Sequence, residues 1–164
     1  MAKGAVTLFR KFKERVGDGE INLTTAVLRI ALTNDTTGAL PGGGAQAVDP
    51  RYGAGGTENL ATTEVAAGGG YTTGGELVDG TDPWAVGAGD DCEYTAQNPT
   101  WLSSFSGDPA DVRYGVVYVD NGGTTDYGVG YVQIYDGTTD VSMLTGDIIV
   151  KWDGGAAEGV VFTF

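Results

Sequence analysis

The chain has 164 residues, of which 41% are hydrophobic and 29 are glycine, which fits one domain with its own core and a high density of turns. Nine Lys and Arg stand against 22 Asp and Glu, a net charge of −13, which argues against a nucleic-acid surface because phosphate binding needs clustered cations. Residues 1–16 hold five cations and one acid, so the remaining body carries −17.

From the N-terminus, "AVTLFRKFKERVGDGE" places Val6, Phe9, Phe12 and Val16 at helical spacing, and Gly17 and Gly19 stop the pattern. The preferred reading is a short amphipathic helix laid over an open sheet end and burying Phe9 and Phe12. The sharper alternative is a docking arm whose Lys3, Arg10, Lys11, Lys13 and Arg15 meet an acidic partner. "TTAVLRIALTND" is a strand with one face turned inward, ended by an Asn-Asp turn. Residues 36–70 lose periodicity and read as a long Gly-rich loop, with a short helix or strand near Leu60–Val65. Arg51 and Tyr52 in that loop join the partner-interface candidates.

"GGGYTTGGELVDG" reads as a Gly-bounded strand with a tight turn or bulge at Gly74 and Gly75. "WAVGAGDDCEYTAQNPTWLSS" offers two further strands, with Val86, Cys92 and Tyr94 inward and Trp101 as an anchor. In "DVRYGVVYVDNGG", Val112, Tyr114, Val116 and Tyr118 line one face before an Asp-Asn-Gly-Gly turn, and "DYGVGYVQIYDGTTD" is the antiparallel partner. The final "GDIIVKWDGGAAEGVVFTF" reads as a hairpin across Gly154 and Gly155, with Val160, Phe162 and Phe164 on one face, packed near Trp152. The expectation is an all-β fold: an antiparallel β-sandwich or barrel, jelly-roll-like, of about eight strands, with a short N-terminal amphipathic helix. Residues 1–164 form a single domain, with 1–19 as helix or arm. The expected core anchors are Phe9, Phe12, Trp101, Tyr114, Tyr118, Trp152, Phe162 and Phe164.

The chemistry is mostly missing. No histidine is present, which removes the commonest general base, the Ser-His-Asp arrangement and imidazole metal sites. Single Cys92 permits no intramolecular disulfide and lies among Asp90, Asp91 and Glu93, which disfavour a thiolate. The acidic turns "DGTDP", "GAGDDCE", "DNGGTTD" and "DGTTD" lack EF-hand spacing, and turn chemistry accounts for their residues. "GGGYTTGG" lacks the Lys-Ser/Thr of a phosphate loop. With 22 acids a glycosidase-like carboxylate pair is conceivable, but nothing marks one pair. Tyr114, Tyr118, Tyr131 and Tyr135 read as strand residues with wet hydroxyl ends rather than as a glycan platform. No apolar run approaches the roughly 20 residues of a membrane span, and no signal-peptide segment is legible. Neither a catalytic residue, a cofactor nor a metal is expected.

The order of these parts resembles that of small tailed-bacteriophage virion proteins. Such proteins open on a "TLF-x-x-F-K" helix, here Thr7-Leu8-Phe9 with Phe12-Lys13, and continue with an "L-x-I-A-L" strand, here Leu28 to Leu32. A "G-Y-x-x-G-G" segment follows at Gly70-Tyr71 with Gly74-Gly75, then an "R-Y-x-V-x-Y" strand at Arg113-Tyr114 to Tyr118, and a closing aromatic segment from Ile148 to Phe164. The departures are the Gly-rich stretch around 38–56 and the extra residues 154–157. The resemblance implies a non-enzymatic virion component made in the host cytoplasm. Within that class it points to a capsid decoration (cement) protein on the outer surface of the head, binding across neighbouring major capsid proteins. A homotrimer or other symmetric homo-oligomer, without nucleic acid or membrane, would match the shell symmetry. The competing expectation is a tail or fibre component acting as a receptor- or glycan-binding module.

Overall fold

The computed structural model describes residues 2–3, 6–34, 49–56, 58–80, 84–87, 91–123, 125–135, 139–152 and 158–164. Among them, in chain order, are β1 (Ala2–Lys3), β2 (Thr7–Leu8), α1 (Arg10–Gly17), β3 (Leu28–Thr33), β4 (Pro50–Gly53), β5 (Glu58–Asn59), β6 (Glu76–Val78) and β7 (Trp84–Val86). The second half supplies β8 (Cys92–Gln97), β9 (Thr100–Trp101), β10 (Tyr114–Val119), β11 (Thr125–Gln133), β12 (Ile148–Lys151) and β13 (Glu158–Thr163). The fold is all-β, and the described residues hold one short α-helix and thirteen strands, several only two residues long, where about eight were expected.

The largest sheet runs β5-β4-β11-β10-β3-β6, with β2 also on β11. Smaller sheets are ordered β1-β12-β9 and β13-β8-β7, and none of the three orders closes into a ring. The pairing is antiparallel except for β1 with β12 and β4 with β5. The expected hairpin at Asp120 to Gly123 joins β10 to β11 in register from Tyr114↔Gln133 to Val119↔Tyr127, with a bulge between Val117 and Tyr118. β10 is buried at every position, and β3 is covered on both faces rather than one. The reason is placement: β10 and β3 are interior strands of the largest sheet, and such strands are long apolar runs when both faces are covered.

The expected burial of Phe9 and Phe12 is borne out, but the helix is shorter than the spacing suggested: it begins at Arg10, Phe9 is its N-cap and Thr7–Leu8 is a strand on β11. Both side chains are fully buried, and the Phe9 amide donates to Val129 O at 2.9 Å. Two glycines on β11 make room for this segment. A Cβ on Gly130 would sit 2.4 Å from Thr7 O, and one on Gly128 would sit 3.2 Å from the Phe9 ring.

Several expectations are overturned. β12 and β13 are not a hairpin, because they lie in different sheets: β12 pairs with β1 and β9, and β13 pairs with β8. The cause is a corner at Asn98-Pro99, where proline interrupts the amide ladder and the chain leaves one sheet for the other. Val150 N donates to Pro99 O, Trp152 N to Asn98 Oδ1 and Trp152 Nε1 to Gln97 O, so Trp152 fastens that corner. In β13 a bulge between Val160 and Phe162 buries Val161 and Phe162 together and breaks the expected alternation. Phe164 is therefore no full core anchor: it is 42% exposed, and it and Phe162 meet Phe12 and Trp84 in edge-on and tilted ring contacts. Phe162 also stacks on Tyr94.

Val86 is exposed on the edge strand β7, and Cys92 is half-buried rather than inward. Of the expected 36–70 loop, 36–48 and 57 lie outside the described residues. The rest is built into the largest sheet by β4 and β5 and a 3-10 turn at Leu60–Thr63. The remaining anchors, Trp101, Tyr114, Tyr118 and Trp152, are buried, and the apolar core is one cluster drawing on all three sheets. No helix among the described residues is long and apolar enough to cross a membrane.

Candidate interaction site

The cationic residues singled out in the sequence do not form one surface. Arg15 is buried. Its guanidinium pairs with Asp49 at 2.7 Å and Glu20 at 3.1 Å and lies 4.1 Å over the Tyr127 ring. Arg51 pairs with the same Asp49 at 2.9 Å and covers the same ring. Burial works to raise the Asp49 carboxyl, but the two guanidiniums hold it below its ordinary value. Arg15 and Arg51 therefore clamp α1 to β4 and β11, Arg15 buried and Arg51 half-buried. Lys11 pairs with Glu14, while Arg10 and Lys13 are exposed. Lys3 sits in β1 opposite Lys151, and its side chain lies outside the described residues.

Tyr52 is half-buried and bonded within the chain. Its ring stacks on Tyr118 at 4.1 Å and 4°, and its hydroxyl donates to Glu64 at 2.5 Å. Glu64 also accepts from the Tyr71 hydroxyl at 2.6 Å and from Gly74 N at 2.7 Å. With Tyr118 donating to Gly74 O and Arg29 to Gly74 O and Gly75 O, this network clasps the Gly74-Gly75 turn. Both glycines have positive φ, as the turn requires. The hydroxyls of Tyr114 and Tyr118 are consequently not wet. Tyr114 donates to the Tyr135 oxygen, and burial pushes the Tyr118 phenol up to about 12.

A surface the sequence reading passed over lies at Leu102 to Asp108. Leu102 is 66% and Phe105 69% exposed, and Phe105 holds φ at +59°, a left-handed conformation that a bulky side chain rarely adopts. Asp108 fixes this loop from inside. Its carboxylate accepts Gly70 N at 2.5 Å and Ser104 N at 2.7 Å, and Ser103 Oγ and Ser104 Oγ lie at 3.1 and 3.3 Å. The Gly70 amide and then the Ser104 amide hold the Asp108 carboxyl below its ordinary value despite burial. Ser103 joins the loop to the neighbouring Met143–Thr145 turn: its Oγ lies 2.5 Å from Met143 O, and its amide donates to Asp147 at 2.7 Å. That turn carries Leu144, 41% exposed.

The glycine run "GGGY" explains how the loop sits so close. A Cβ on Gly68 would lie 2.3 Å from Gly107 O, on Gly69 1.9 Å from Asp108 Oδ1, and on Gly70 1.7 Å from Leu102 O. The signal in the sequence is therefore double: three glycines that no phosphate explains, and two large apolar residues inside a Ser/Gly/Asp/Pro turn cluster.

Among the described residues no group of three or more His, Cys, Asp or Glu is placed to hold a metal ion. No protein-family model, curated protein or solved structure matches the chain.

Proposed function

We propose that this chain is a non-enzymatic structural component of a tailed-phage virion, and within that class a decoration protein on the outer surface of the head. The observation that carries the reading is where the ordered motifs fall. Phe9 and Phe12, the Leu28 to Leu32 strand, Tyr71, the Tyr114 to Tyr118 strand, Trp152 and Phe162, spread over the whole chain, join in one buried core or its central strands. Motifs buried in this way support a reading in which the scaffold is shared and the exposed loops meet partners.

Charge favours the outside of the head. A body of net −13 is repelled by packaged DNA and stays soluble at high local concentration. Cementing asks for a rigid body, and the buried Arg15 and Arg51 pairs and the Phe9 and Phe12 anchors make the N-terminal segment part of that body. A symmetric homo-oligomer of this body would engage several major capsid subunits at once. The alternative is a tail or fibre module.

The test is a heat challenge of particles that lack this chain. They should release DNA at a lower temperature than complete particles, and purified protein added back should restore them. Unchanged release temperatures would refute the decoration role.

A further inference from the structure

We infer that the tip formed by Leu102, Phe105 and Leu144 is the surface by which this chain docks on the shell, inserting into an apolar socket rimmed by Lys or Arg. The inference rests on the head-surface reading above and adds the location and chemistry of the contact.

Three observations converge on the tip. First, Leu102 and Phe105 are about two-thirds exposed and Leu144 is 41% exposed, and exposed apolar residues on a polar background are a usual mark of an interface. Second, the tip is held rigid. Asp108, Ser103 and the close approach of Gly68 to Gly70 fix the loop, and they hold Phe105, 69% exposed, in a backbone conformation that costs energy. An aromatic anchor already fixed in its bound shape loses little entropy on docking. Third, the segments 102–111 and 140–147 contain four aspartates, Asp108, Asp111, Asp140 and Asp147, and no cation. Asp108 is buried inside the loop and Arg113 answers Asp140 at 2.7 Å, while the exposed Asp111 and Asp147 leave the rim acidic.

Charge selects the occupant. A second copy would bring another −13 body to an acidic rim, whereas a cation-rimmed socket complements it and speeds encounter. Phe105 enters the socket as the central anchor, with Leu102 and Leu144 excluding water around it.

The experiment uses the full chain and shells assembled from the major capsid protein of the same phage, with cosedimentation as the readout. Phe105→Gly keeps the backbone, since glycine accepts φ near +59°. It is compared with Leu102→Ser/Leu144→Ser and with the helix variant Arg10→Glu/Lys13→Glu. The tip variants should bind at least tenfold more weakly, with melting temperatures within a few degrees of the parent chain, and the helix variant should bind as the parent does. Tip variants that bind like the parent overturn the inference while leaving the head-surface reading standing. A parent chain that fails to bind shells overturns both. A parent oligomer that the tip variants convert to monomers would make the occupant a second copy, and this too overturns the inference.

Discussion

Phe12→Ala decides whether the N-terminal helix is a structural staple or a free docking arm. Phe12 is fully buried, with its ring centroid 5.5 Å from Phe162 and 5.8 Å from Phe164. Removing a buried phenylalanine ring costs about 3–5 kcal/mol, the transfer loss plus the cavity left behind. Against a total stability of about 5–15 kcal/mol this is a large fraction. For a chain of this size each kcal/mol moves Tm by about 2–4 °C, so Tm should fall by about 6–20 °C. Thermal and urea unfolding followed by circular dichroism measure it. Phe164→Ala serves as the internal comparison: at 42% exposure it forfeits about half of the roughly 1.5–3 kcal/mol that full burial contributes. A Phe12→Ala variant within about 1 kcal/mol of the parent, or less damaged than Phe164→Ala, would refute the staple and restore the arm.

Gly130→Ala places a methyl 2.4 Å from Thr7 O and 2.5 Å from Val6 Cγ1. It should cost about 1–3 kcal/mol by overpacking and speed hydrogen exchange at the Phe9 amide; unchanged exchange would refute the close approach. Asp126 is buried, and burial, followed by repulsion from Asp120, raises its carboxyl pKa although it accepts the Asn121 amide. Its folded form holds the proton more tightly than its unfolded form, so its ionisation destabilises the fold as pH rises through the raised value. Asp126→Asn keeps the acceptor and should raise the urea midpoint at pH 7, with the gain vanishing below the ordinary Asp value of about 3.9. Asp108 has the opposite sign. Its carboxyl is held low by the Gly70 and Ser104 amides, so its contribution is intact above about pH 3.9 and is lost as pH falls through the lower folded value. Asp108→Asn should therefore lower the midpoint at pH 7 and converge with the parent chain in strong acid; a constant difference across that range would contradict the assigned charge.

The elements that local pattern determines were legible in the sequence. The strand at Leu28–Thr33, the Tyr114–Val119 to Thr125–Gln133 hairpin and the burial of Phe9 and Phe12 follow from periodicity and turn chemistry. Pairing between distant segments was not. A terminal strand pair with Gly154-Gly155 between its halves has the local grammar of a hairpin, yet the Asn98-Pro99 corner gives each strand a different partner. The cations of α1 looked like one face because sequence spacing cannot show Asp49, an acid brought from 34 residues further on, closing over Arg15. The Leu102 to Asp108 tip was missed because Leu102 and Phe105 stand among ordinary turn formers. Gly128 and Gly130, which lie within a strand, were the stronger clue, since a glycine with no turn to make marks a place where another backbone comes close.

The most direct test of the head-surface assignment is the number of copies of this chain per purified particle, measured by quantitative mass spectrometry against the major capsid protein. The assignment predicts a count of the same order as the capsid protein. A handful of copies per particle, or none, would contradict it, and the handful would move the chain to the tail or fibre.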